Sequence, residues 1–146
     1  MRVKGPWPPQ AIERFLAETV IPMRLAVATP SGDPLVLSLW FLPLDGTLWC
    51  ACNRNAYMAR MLRTNPKCAF EIAGDQPPYR GIRGKGNASL HDDMGPDILA
   101  RLMARYGIGA TSRLGRFLTQ RPEDETAICI VPRSLMSWDY TERMTD

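Results

Sequence analysis

Between residues 52 and 66 the chain reads CNRNAYMARMLRTNP, where an apolar strand end runs into a helical pattern. This stretch carries Arg54, Arg60 and Arg63 and no acid, and Arg24 on an earlier strand adds a fourth guanidinium at its entrance. A helix start has unpaired backbone N–H groups and roughly half a positive charge, so the arrangement favours an anion such as a phosphate. The alternative is a solvated basic helix end.

Other reactive-looking groups carry less. Gly81-Ile82-Arg83-Gly84-Lys85-Gly86 imitates a phosphate loop, but no Ser or Thr follows its Lys and no helix stands behind it. The pattern continues as a strand, so these glycines are expected where another backbone or a ligand approaches closely. His91-Asp92-Asp93 could orient a base, yet no motif places a nucleophile beside it; a solvent-exposed turn or helix cap is the simpler reading. Cys50, Cys52, Cys68 and Cys129 lie in apolar alternating segments, as reduced buried thiols do. With His91 the only histidine, the ligand count for a zinc site is missing. Trp138 and Tyr140 could border a flat ligand or pack a subunit interface.

The elements that must position these groups follow from periodicity. Residues 9–20 read as a helix through Ile12, Phe15, Leu16 and Val20, ended by Pro22. Residues 24–29 read as a strand, and 30–34 as a turn. In the strand 35–42, Leu35, Leu37, Leu39 and Phe41 alternate with Val36, Ser38, Trp40 and Leu42, so both faces are largely apolar and one should meet a partner. The Asp45-Gly46 turn leads into a strand at 48–53. A helix follows at 55–64, with Met58, Met61 and Leu62 on one face as core fillers. Strands are expected at 67–73, 79–91, 126–131 and 135–140, with further helices around Ile98–Tyr106 and Leu114–Leu118. Strands joined by hairpins, with helices set aside, predict an α+β, barrel-like domain spanning 1–146, on which the helical segment 1–22 packs.

Composition narrows the function classes. At 146 residues the chain can bury a core within one domain. A net charge of +3 is too mild to argue for nucleic acid without a dense patch. No apolar run reaches the ~18 residues of a membrane span, and no signal-type segment opens the chain, so a cytoplasmic protein is expected.

Taken in order, the pieces resemble the pyridoxamine 5′-phosphate oxidase-like family, the FMN-binding split β-barrels. The resemblance rests on Arg24-Leu25-Ala26-Val27-Ala28-Thr29 with Gly32-Asp33-Pro34, on Ser38-Leu39-Trp40-Phe41, and on Ala51-Cys52-Asn53-Arg54 with Ala59-Arg60 and Asn65-Pro66. Pro78-Tyr79-Arg80, Gly86-Asn87-Ala88 and Ser137-Trp138-Asp139-Tyr140 complete it. It implies a mainly antiparallel split barrel of six to seven strands with flanking short helices. It also implies a homodimer with cofactor sites between subunits, and an FMN-dependent oxidoreductase moving a hydride to or from a small organic substrate. The implied ring-side residues are Val36, Leu37, Ser38, Leu39 and Trp40, with Ala51, Cys52 and Asn53 beside them; Arg54 and Arg60 would meet the phosphate. Met58 occupies a cofactor-facing position where the family commonly has Lys, and Ala56 one where it commonly has Ser. Two alternatives accompany this reading. A deazaflavin (coenzyme F-420) reductase would use Arg80, Arg83 and Lys85 for the cofactor's acidic tail, unless these merely keep a strand face soluble. A non-catalytic flavin or haem binder would have His91 as its only imidazole. No catalytic acid or base is assigned.

Overall fold

The computed structural model describes residues 1–145. In chain order the elements are β1 (Arg2–Lys4), α1 (Pro9–Glu18), β2 (Met23–Ala28), β3 (Pro34–Leu39), β4 (Leu42–Leu44), β5 (Thr47–Asn53) and α2 (Tyr57–Thr64). They continue with β6 (Lys67–Ala73), β7 (Arg80–His91), α3 (Gly95–Arg105), α4 (Arg113–Leu118) and β8 (Glu125–Asp139). The architecture is α+β. One sheet runs β3-β2-β6-β7-β8-β5-β4, antiparallel throughout, and β1 adds to β8 in parallel.

Alternation sets the sheet's two faces. Met23, Leu25 and Val27 of β2, Phe70 and Ile72 of β6, Ile82 of β7, and Ile128 and Ile130 of β8 fill the barrel interior. Each such side chain contributes ~1.5–3 kcal/mol by leaving water. A smaller cluster lies between α3 and the sheet's outer side, where Ile98 and Leu102 pack with Ala127, Trp40 and Trp49.

Four expectations change. The first residues form a strand, not only a helical segment: Arg2, Val3 and Lys4 pair with Ser134, Leu135 and Met136. Helix α1 ends at Glu18, leaving Val20 44% exposed. The strand expected at 35–42 stops at Leu39, because Phe41 turns into the core and Trp40 stacks on Tyr106. The two closing strands are one. A register shift between Lys85 and Gly86, which face Ser134 and Pro132, absorbs Arg133 as an extra residue.

The glycines of β7 serve close packing by the chain itself. A Cβ on Gly84 would lie 2.5 Å from the Ser134 carbonyl oxygen and 2.6 Å from the Phe70 ring. That leaves the backbone-approach reading, not the phosphate loop.

Candidate functional site

The predicted site residues separate into three environments. On β3, Val36 and Ser38 face outward, with Val36 63% exposed, whereas Leu37 and Leu39 pack against the barrel core. Ser38 accepts a 2.9 Å hydrogen bond from Arg24 Nη1, which fixes that guanidinium on the same outer face. Trp40 lies beyond the strand, stacked on Tyr106 with centroids 5.1 Å apart, and joins the cluster under α3, as does Ala51. Cys52 packs against the barrel core.

At the end of β5, Asn53 Oδ1 accepts the Asn55 N–H at 2.8 Å. The Arg54 backbone N–H donates to the Asp124 carbonyl at 2.8 Å, and its guanidinium stands 3.9 Å from the Asp124 carboxylate. Arg63 Nη1 donates to the Arg54 carbonyl at 2.8 Å, and Arg60 lies over the Tyr57 ring at 5.5 Å. Helix α2 buries Met58, Ala59 and Leu62. Met58 is 3% exposed and belongs to the barrel core, so this side chain has no ligand-facing surface within the subunit. The spacing explains it: positions 58 and 62, one helical turn apart, must share the face that meets the barrel. The Ala56 cap offers no side-chain hydrogen bond to the helix start.

A third environment was only partly foreseen. A cleft of about 580 Å³ opens on the outer sheet face, lined by residues of β1, β2, β3, β6, β7 and β8. Its cations are Arg2, Lys4, Arg24, Arg83 and Lys85; its one acid is Glu71. Glu71 sits in register between Arg24 and Arg83, yet the sole ion pair among the described residues is Arg54–Asp124. The cleft therefore presents an excess of positive charge, five cations to one acid, with no ion pair within its lining among the described residues. Ala26, Val36, Ala69 and Met136 give it an apolar floor. Of the three cations expected on this strand, Arg83 and Lys85 line the cleft; Arg80 is opposite Asp139 and not in the lining. Arg54 and Arg60 do not line the cleft either. Arg2 and Lys4 escaped sequence reasoning, and their signal was faint: two cations either side of a valine in a three-residue strand.

The thiols and the imidazole lie outside the cleft lining. Burial pushes the thiols of Cys52 and Cys68 up to about 11 and raises Cys50 further, so none of the three is a ready nucleophile. His91 Nε2 is 2.9 Å from Ser89 Oγ, and its ring lies 5.5 Å from Trp49, away from the cleft. No group of His, Cys, Asp and Glu among the described residues could hold a metal ion, and no helix is long and apolar enough to cross a membrane.

No family model and no curated protein matches the sequence. Solved structures do match. The chain has the fold of the pyridoxamine 5′-phosphate oxidase-like split barrels. It is similar to a conserved hypothetical protein of Mycobacterium tuberculosis, with TM-score 0.78 and 24% identity over 97% of this chain and 90% of that one. An F-420 reductase gives TM-score 0.75 and 22% identity over 88% and 98% of the two chains. A candidate pyridoxamine 5′-phosphate oxidase of Listeria innocua gives 0.69 and 19% over 89% and 98%.

Proposed function

We propose that this chain is one subunit of a homodimeric oxidoreductase that holds a flavin-class cofactor between subunits, and that its charges suit deazaflavin coenzyme F-420 better than FMN. The observation that carries this reading is the cleft, where five cations and one acid surround an apolar floor. An acidic-tailed cofactor fits that balance. The family resemblance sends the FMN phosphate to the α2 start, where Met58 is buried and the Arg54 guanidinium already faces Asp124. The similarity to an F-420 reductase agrees with this choice.

The position of the expected contacts supports the dimer. Strand β3 is an outer strand of the sheet, pairing only with β2, and its outward face bears exposed Val36. The segment Ala51–Arg54, at the end of β5 and so next to the last strand of the order, contributes nothing to the cleft. A cofactor touching both kinds of surface needs a second copy, whose docking would also cover β3.

The residues divide the work by chemistry. Ala26, Val36, Ala69 and Met136 would pack the ring and exclude water from one of its faces. Backbone groups on the free edge of β3 are donors and acceptors for the polar rim of such a ring. Arg24, oriented by Ser38, would hold the nearest anionic group, and Arg83 with Lys85 the tail. When bound, the cofactor supplies hydride transfer to a small organic substrate, and the protein supplies position and electrostatics.

Fluorescence titration of the purified protein with F-420 and with FMN tests this. F-420 should bind at least about tenfold more tightly, with the preference shrinking as salt screens the cleft. Tighter FMN binding would reverse the assignment. Binding of neither would remove the flavin-class reading. Bound reduced cofactor that is not reoxidised faster by any small quinone or nitro acceptor than it is free in solution would make the protein a binder, not an enzyme.

A further inference from the structure

Strand β1 divides two environments. Arg2 and Lys4 line the cationic cleft, while Met1 and Val3 line a separate apolar hollow of about 330 Å³ with Ile12, Leu16 and Leu135. Its attachment is uneven. After the strand, Gly5 adopts φ +99° against Ser137, where a Cβ would overlap the Ser137 carbonyl oxygen. Trp7 then donates from its backbone N–H to Ser137 Oγ and from Nε1 to Asp139 Oδ2, both at 3.1 Å. Before this anchor, β1 has three exposed residues and three parallel pairings to β8. Such a segment opens at low cost. Docking also brings its two cations towards Arg24, Arg83 and Lys85, which opposes it until an anion arrives.

We infer that β1 is a charge-reading clamp: Arg2 and Lys4 recognise the distal part of a multiply charged acidic tail, and that tail in turn holds β1 on the sheet. The inference rests on the proposed cofactor class and adds the residues that count its charges. Because binding and docking are linked, each must strengthen the other equally. An anion with one phosphate reaches Arg24 and gains little from β1. A chain of carboxylates extending over the cleft towards Ser134 and Met136 gains both cations, since these residues pair with Arg2 and Lys4.

The test compares the full-length protein with its Arg2→Ala/Lys4→Ala variant, using F-420 bearing several glutamates, F-420 bearing none, and inorganic tripolyphosphate. Both substituted side chains are exposed, so the variant should fold as the parent does. Long-tailed F-420 should weaken about five- to thirtyfold, and tailless F-420 by less than about twofold. Tripolyphosphate should protect the β1 amides from hydrogen exchange in the parent only. Arg2→Lys/Lys4→Arg should restore long-tail binding. Equal losses for the two F-420 forms, or no loss for either, would overturn the clamp while leaving the cofactor reading intact. Tripolyphosphate binding that depends on β1 in a protein binding neither F-420 form would keep the charge-reading strand and discard the cofactor. Absence of β1 protection in the parent would overturn the linkage.

Discussion

Replacing Met58 by lysine distinguishes a core position from a phosphate-facing one. Met58 is 3% exposed among barrel side chains that include Leu62. A lysine there must either bury its ammonium or fold neutral. Folding neutral at pH 7 costs about 4–5 kcal/mol, from a reference pKa near 10.4 and ~1.4 kcal/mol per pH unit. The aliphatic stem retains part of the methionine's burial, so a net loss of about 3–5 kcal/mol is expected. For a chain of this length that lowers the thermal midpoint by roughly 10–20 °C. The sign with pH is definite. The buried lysine's pKa is depressed in the folded state, so the unfolded chain binds more protons and the penalty shrinks as pH rises towards about 10. Met58→Leu keeps volume and should cost less than about 1.5 kcal/mol. Scanning calorimetry of both variants at pH 6, 8 and 9.5, with and without FMN, reads all of this. An unchanged midpoint for Met58→Lys together with roughly tenfold tighter FMN would refute the core placement and return α2 to phosphate binding.

Three more outcomes follow from the packing. Gly84→Ala drives a methyl into the Phe70 ring and the Ser134 carbonyl and should cost about 1–3 kcal/mol in urea unfolding; a cost below about 0.5 would mean the sheet yields there. Thr126 is fully buried, and its Oγ1 has no hydrogen-bond partner among the described residues. Thr126→Val should therefore be neutral or stabilise by up to about 1 kcal/mol, and a loss above 1 would reveal a partner. Cys50, Cys52 and Cys68, with raised pKa values, should resist a thiol reagent at pH 8 in the native protein and react once it is unfolded; fast native reaction of more than one thiol would contradict their burial.

Alternation made the barrel legible, because Met23, Leu25 and Val27, or Phe70 and Ile72, face inward wherever the sheet requires it. Elements without an apolar signature were not legible. Strand β1 buries no side chain, so its three residues look like any exposed leader. Pro132-Arg133-Ser134 reads as an interruption, whereas the register shift opposite Lys85 and Gly86 carries the ladder through it. The site was visible in fragments for a related reason. The cleft draws cations from β1, β2 and β7, brought together by pairings across many residues, and no local spacing encodes that. The conspicuous run around Arg54 drew attention because it is contiguous. Folding gives that arginine Asp124 as a partner and turns Met58 inward.

Native mass spectrometry of the protein with a small excess of F-420 reads assembly and cofactor binding together. A species of two subunits carrying two F-420 molecules is expected, with the Arg24→Ala/Arg83→Ala variant still dimeric but losing the cofactor. A 16.4 kDa subunit without cofactor, or a dimer whose F-420 occupancy is indifferent to Arg24 and Arg83, would rule out the cationic cleft as the cofactor site of a dimer.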